Sequence, residues 1–272
     1  VKSVAVTHGL PVYQPVKVRD PEFVETLKHL RPDVVVVAAF GQIIPQSVLD
    51  IPTFGCLNVH ASLLPKYRGA APIQWAVIDG EKESGVTIMQ MNSGLDTGDI
   101  ISKAIVPLDT DETGGSLFDK LAKAGARLLA DTLAKLENSQ ITPVKQPKES
   151  PNKYARMIKK SDGQIDWEKD AVSIERLIRG MNPWPSAYTY LSGKVLKIWK
   201  ASLSGDESEV TAGKNSNAAP GTVIRTDTDS IYVRTGKGVL RILEVQLEGK
   251  KRMPCDAFLR GSDVTSGTRL EK

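Results

Sequence analysis

The run Val34-Val35-Val36-Val37-Ala38-Ala39-Phe40 is unbroken apolar sequence of strand length, rich in β-branched residues. It constrains the fold more than any other segment. A strand with one wet face alternates polar and apolar residues, whereas an unbroken run suits a parallel strand buried on both faces. Its surroundings agree. Asp20-Pro21 is an N-cap and first-turn pair opening an amphipathic helix of Phe23, Val24, Leu27 and Leu30. Cys56 to Val59 predicts a short strand, followed by a Pro- and Gly-rich loop and a helix around Ile73 to Ile78. Gly85–Met91 and Ile100–Val106 read as further strands. Leu117, Leu121, Leu128 and Leu129 share one stripe of a long helix ending near Asn138. Such alternation predicts an α/β fold: a Rossmann-like, open, mostly parallel sheet with helices on both faces.

From Thr142 the texture changes. Pro143, Pro147 and Pro151 with interleaved lysines mark a linker. Asp170 caps a short helix through Ile174, Leu177 and Ile178, closed by Gly180. Five short strand-like runs follow: Ala187–Leu191, Val195–Trp199, Thr222–Ile224, Ile231–Val233 and Val239–Leu247. They predict a small closed barrel of the oligonucleotide-binding (OB-like) kind. The expected division is therefore 1–142, a linker over 143–162, and a barrel over 163–272.

Composition narrows the function classes. No apolar run approaches the ~18 residues of a membrane-spanning helix, and no basic start with an apolar core marks a secretory signal. Cys56 and Cys255 lie far apart and fit no metal spacing, so both read as reduced structural thiols of a cytoplasmic protein. Charge is uneven: residues 1–142 hold 13 Lys and Arg against 16 Asp and Glu, and residues 143–272 hold 23 against 16. A basic second half fits a polyanion-binding surface, and equally a lysine-rich solvated one.

Of the three histidines, His8 and His29 read as surface residues. His60 ends an apolar strand just before a loop, where open α/β sheets line their ligand crevice. Asn58 precedes it by two residues, so both side chains leave the same strand face. A neutral imidazole can accept a proton while a neighbouring carboxamide polarises a carbonyl. A second polar cluster, Gly94-Leu95-Asp96-Thr97-Gly98-Asp99, follows another predicted strand. Its carboxylates could cap a turn, orient a histidine or bind a metal. Turn capping is the default, and no further ligand stands at metal spacing.

Asn58-Val59-His60-Ala61-Ser62-Leu63-Leu64-Pro65-Lys66-Tyr67-Arg68-Gly69 resembles the signature of the folate-dependent formyltransferases. The family's third catalytic residue is an aspartate in a Leu-Asp-Xaa-Gly turn. Asp96 stands there, 38 residues after Asn58, at the family's separation. Gly69–Gln74, Gly85–Met91 and Asp96–Ile100 resemble the branch acting on methionyl-tRNA. So do Ile165-Asp166-Trp167, Asn182-Pro183-Trp184-Pro185 and Glu244-Val245-Gln246.

The resemblance implies transfer of a formyl group from 10-formyltetrahydrofolate to the α-amine of initiator methionyl-tRNA, without a metal, in a cytoplasmic monomer. It implies Asn58, His60 and Asp96 as catalytic residues. His60 would handle the amine proton, and Asn58 would donate to the oxygen that becomes negative. Asp96 would hold His60 or order a water. Ser62, Leu63, Leu64 and Pro65 would contact the folate, with Phe40, Gly41, Gln42 and Ile43 lining the pterin pocket. Arg68, Lys160, Lys250, Lys251 and Arg252 are candidate tRNA phosphate contacts, which position without reading sequence. The family begins with a central strand, a Gly-Thr-Pro turn and a lysine-rich loop, none of which stands before Val1. The expectation is that the polypeptide extends upstream. A small-amine acceptor and a non-enzymatic RNA-binding scaffold are the alternatives.

Overall fold

The structure, a computed structural model, describes residues 1–204 and 218–271. Its first part holds α1 (Lys2–Thr7), α2 (Pro21–Leu30), β1 (Val35–Ala38), α3 (Gln46–Leu49), β2 (Cys56–His60), α4 (Pro72–Asp79), β3 (Glu83–Gln90), β4 (Ile100–Pro107) and α5 (Gly114–Glu137). The strands form one open sheet in the order β1-β2-β3-β4. Its parallel pairing is β1 with β2, while β3 runs antiparallel to both β2 and β4.

Helices cover both faces, and β2 shows why. Cys56 points to the side where Val24 of α2 and Val48 and Leu49 of α3 pack. Leu57 points to the other, where it meets Val77 of α4, Val86 and Ile88 of β3, and Leu117 and Leu121 of α5. α5 starts at a capping box in which Thr113 accepts from the Ser116 amide and Ser116 accepts from the Thr113 amide.

β1 departs from expectation. Its residues alternate between half-buried and exposed, and Val36 is 39% exposed. β1 has β2 as its one neighbour among the described strands.

The second part holds a 3₁₀ turn (Lys160–Gly163), α6 (Ala171–Gly180), β5 (Ala187–Leu191), β6 (Lys194–Leu203), β7 (Val223–Thr226), β8 (Ile231–Arg234), β9 (Val239–Leu247), β10 (Met253–Pro254), α7 (Cys255–Leu259) and β11 (Leu270–Glu271). The sheet is antiparallel throughout, in the order β11-β5-β6-β9-β8-β7 with β10 beside β9. Its ends curl together: the Val223 amide donates to the Thr268 carbonyl at 2.8 Å, and the Leu270 amide to that of Gly221 at 2.8 Å. Ile198, Val233, Leu240, Ile242 and Val245 fill the interior, against Ile174 and Ile178 of α6.

The two parts meet where α4 lies on α6. Gly180 lets them approach, since a Cβ there would stand 2.4 Å from Ile78 Cγ1. Trp75 and Ile78 of α4 pack against the second core. Cys56 and Cys255 are free and buried, and burial pushes their thiols up to about 11 and about 12, which makes them inert. No helix among the described residues is long and apolar enough to cross a membrane.

Candidate active site

Parallel pairing of β1 with β2 sets the carboxyl ends of both strands at one edge of the sheet. From there the chain runs into Ala39–Ile44 after β1 and into Ala61–Ala71 after β2. The turn 91–99 joins β3 to β4.

His60 is 6% exposed. Its Nε2 lies 3.0 Å from the Tyr67 carbonyl. A carbonyl only accepts, so Nε2 carries the hydrogen and the lone pair of the neutral ring sits on Nδ1. Nδ1 faces Asp96 Oδ1 at 3.8 Å. That gap exceeds a hydrogen bond, so Nδ1 is uncommitted yet lies within the field of a carboxylate. Asp96 is held from its other side, where Oδ2 accepts from the Gly69 amide at 2.9 Å.

Asp96 sits at φ +53°, a left-handed conformation held by the turn around it. Asn92 Oδ1 accepts from the Gly94 amide at 2.9 Å and from Thr97 Oγ1 at 3.0 Å. Gly98 is obligatory, because a Cβ there would stand 1.7 Å from the Gln90 carbonyl oxygen. Asn58 shares the strand face of His60 and is half-buried. Its carboxamide makes no hydrogen bond among the described residues.

The loop after β2 is braced from below. Thr87 Oγ1 donates to the Ser62 carbonyl at 2.7 Å and accepts from the Leu64 amide at 3.1 Å. Lys103 Nζ donates to the Leu64 carbonyl, and burial holds its ammonium below the ordinary lysine range. Tyr67, at φ +55°, is anchored by its hydroxyl, which donates towards Asp79 Oδ2 at 3.0 Å and Glu81 Oε1 at 2.9 Å. Burial pushes that hydroxyl's pKa up, and the two carboxylates push it further. Burial works to raise Glu81, but bonds from Lys66 and Tyr67 hold it below the usual carboxylate range.

The other expected site residues divide. Ser62 and Leu64 are buried, and Leu64 belongs to the packed interior. Leu63 and Pro65 are half-buried. Phe40, Gly41, Gln42 and Ile43 lie exposed beyond β1, with Phe40 at 45% and Ile43 at 89%. The Gln42 side chain is bonded to the main chain of Val16 and Val18.

Arg68 differs most from an exposed phosphate contact. It is 9% exposed, and its guanidinium bonds Gln146 Oε1, the Pro147 carbonyl (2.8 Å) and the Lys148 carbonyl (3.0 Å). Lys160, Lys250 and Lys251 are exposed. Arg252 is engaged, bidentate to Glu244 at 2.6 Å and stacked 4.7 Å from the Trp199 ring centroid.

The proline-rich stretch is not a free spacer but a strap laid over the site. Val144 pairs with Ile100, Gln146 reaches the 96–98 turn, Ser150 Oγ donates to the Pro65 carbonyl, and the Ala155 amide donates to the Arg68 carbonyl. Sequence reasoning missed Tyr67, Thr87, Lys103 and Gln146. Only the Arg68-Gly69 pair hinted at a tight crossing: Gly69 has φ +125°, and a Cβ there would stand 2.6 Å from the Ala155 carbonyl oxygen. No group of three or more His, Cys, Asp or Glu among the described residues could hold a metal ion.

Known proteins resemble the whole chain. The formyl transferase profile matches residues 1–133, and the formyl transferase C-terminal domain profile matches residues 157–263. Methionyl-tRNA formyltransferase of Lachnospira eligens is 53% identical over 99% of this chain and 84% of its own length. That of Citrifermentans bemidjiense is 48% identical over 100% and 82%. Two solved structures share the fold at lower identity. An N-formyltransferase from Helicobacter canadensis, in complex with folinic acid and dTDP-3-aminofucose, superposes with TM-score 0.66 at 19% identity, covering 92% of this chain and 82% of that one. HypX from Aquifex aeolicus with tetrahydrofolic acid gives TM-score 0.63 at 20% identity, covering 89% and 41%. The chain belongs to the formyl transferase family, within its methionyl-tRNA formyltransferase branch.

Proposed function

We propose that this enzyme transfers the formyl group of 10-formyltetrahydrofolate to the α-amine of initiator methionyl-tRNA, with Asn58, His60 and Asp96 as its catalytic residues. The observation that carries the assignment of roles is the His60 ring. Its Nε2–H is fixed on the Tyr67 carbonyl, and its free Nδ1 faces Asp96 without bonding to it.

The neutral amine adds to the formyl carbon, forming the new C–N bond, and its surplus proton passes to Nδ1. The carbonyl electron pair moves to oxygen, where the uncommitted Asn58 amide donates to the developing charge. Collapse of the intermediate breaks the bond from carbon to the folate nitrogen, which takes up the proton. The Asp96 carboxylate stabilises the imidazolium across the gap. Exposed Phe40 and Ile43, at the same sheet edge, suit a flat aromatic donor. Residues 1–142 would supply the chemistry and the barrel the tRNA grip, with Lys250 and Lys251 as exposed cations, Arg252 as part of an ion pair, and Lys160 of the linker as a further exposed cation. Cytoplasmic location and a monomeric state fit this role.

The test is transfer of radiolabelled formyl from 10-formyltetrahydrofolate to methionyl-tRNA, before and after His60→Ala. Loss of turnover by about 10²–10⁴-fold is expected. Unchanged turnover would remove His60 from the mechanism, and no transfer by the unsubstituted chain would overturn the function.

A further inference from the structure

Gln146 stands in a proline- and lysine-rich stretch to which the reaction above assigns no part, yet both ends of its amide are engaged at the site. Its Oε1 accepts from Arg68 Nε at 3.2 Å and Nη2 at 2.9 Å. Its Nε2 donates to the Asp96 carbonyl at 3.0 Å and the Gly98 carbonyl at 2.6 Å. A guanidinium only donates and a carbonyl only accepts, so the amide has one satisfactory orientation. One side chain thus joins the loop after β2 to the turn after β3.

That turn holds Asp96 in a disfavoured left-handed conformation, which persists only where surrounding bonds over-determine it. The strap supplies such bonds from outside the turn.

We propose that Gln146 is a positioning residue for formyl transfer. By clasping the carbonyls of Asp96 and Gly98 it keeps the Asp96 carboxylate between the Gly69 amide and His60 Nδ1. The inference rests on the reading of Asp96 and His60 as catalytic. It adds that the strap is part of the catalytic apparatus, acting through Asp96 and not through substrate.

Gln146→Glu separates the two halves of the clasp. A glutamate of the same length still accepts from Arg68, so the strap stays anchored. Its second oxygen, however, faces two carbonyl oxygens and repels them. In the full chain kcat is expected to fall about 10- to 100-fold, the cost of a small misplacement at a reacting centre. KM for methionyl-tRNA and for the formyl donor should stay within about threefold.

A role in stability alone would act independently of Asp96, so the decisive reading is a double-mutant cycle. In an Asp96→Asn background, Gln146→Glu should lower kcat by less than about threefold. An unchanged kcat for Gln146→Glu, or the full loss repeated in that background, overturns the proposal. If the glutamate variant does not fold, Gln146→Ala is read in the same cycle, with non-additivity in support and additivity against. Full turnover in both His60→Ala and Asp96→Asn would remove the reading of the site and this inference together. A loss in those two with none in Gln146→Glu removes the inference alone.

Discussion

Replacing Asp96 with asparagine removes one negative charge beside His60 and almost nothing of the site's shape. The two side chains are 12% and 7% exposed and their nearest atoms are 3.8 Å apart. At that distance, with an effective dielectric constant of about 20, a carboxylate attracts an imidazolium by about 4 kcal/mol. One factor of ten in rate corresponds to about 1.4 kcal/mol, so losing the whole attraction would slow the step that forms imidazolium by about 10³. Orientation adds to this. The asparagine carbonyl must face the Gly69 amide, because its NH₂ there would set donor against donor. The NH₂ then points at Nδ1, the ring nitrogen proposed to accept the proton. We expect kcat to fall about 10²–10³-fold, with KM for methionyl-tRNA and for the donor changed less than about threefold. Initial rates of formyl transfer across both substrate concentrations, with a thermal melt as the control for folding, measure this. A kcat within threefold of the unsubstituted enzyme, or a loss lying wholly in KM, would refute the electrostatic role given to Asp96.

Gly69→Ala would drive a Cβ to 2.6 Å from the Ala155 carbonyl oxygen and from the Tyr154 ring, at a φ that L side chains rarely adopt. A loss of about 1–3 kcal/mol from backbone strain alone is expected, read by denaturant unfolding, and an unmoved midpoint would contradict it. Glu112 is 2% exposed. Burial works to raise its carboxyl, but bonds from Lys120, Ser116 and the Asp109 amide hold it below the ordinary range. A depressed folded value contributes stability above the unfolded value of about 4.3, and that stability is lost as pH falls through the folded value. Glu112→Gln should therefore flatten the decline of the melting temperature below about pH 4.5, and an equally steep decline would contradict the assignment.

Local pattern was enough for elements that bury one face. α2, α4, α5, α6 and the longer strands follow from apolar spacing and caps, because each must turn a stripe or a face inward. The Val34–Phe40 run predicted a strand, and β1 stands there, paired in parallel with β2. α1 buries no side chain and left no periodic signal. At the candidate site, the motif singled out Asn58, His60 and Asp96, and the fold sets His60 opposite Asp96. What holds them was not. The carbonyl that fixes His60 comes from Tyr67, whose left-handed backbone no residue type announces. Arg68 looked like a surface cation because arginines usually are, yet carbonyls and an amide drawn from far along the chain satisfy it in the interior. Gln146 has nothing in its neighbourhood to distinguish it, since its partners lie 50 and 78 residues away.

The strap also alters how the chain meets a protease. Lys145, Lys148 and Lys153 lie in a segment whose composition would ordinarily offer loose, cleavable backbone. Here cleavage must wait until the chain peels from Ile100, Arg68 and Pro65, and peeling unclasps the turn that bears Asp96. If Asp96 acts as proposed, openings that expose the backbone to cutting are the same openings that disable the enzyme. On that reading, the rate of nicking at these lysines would report the fraction of time the proposed site spends disassembled.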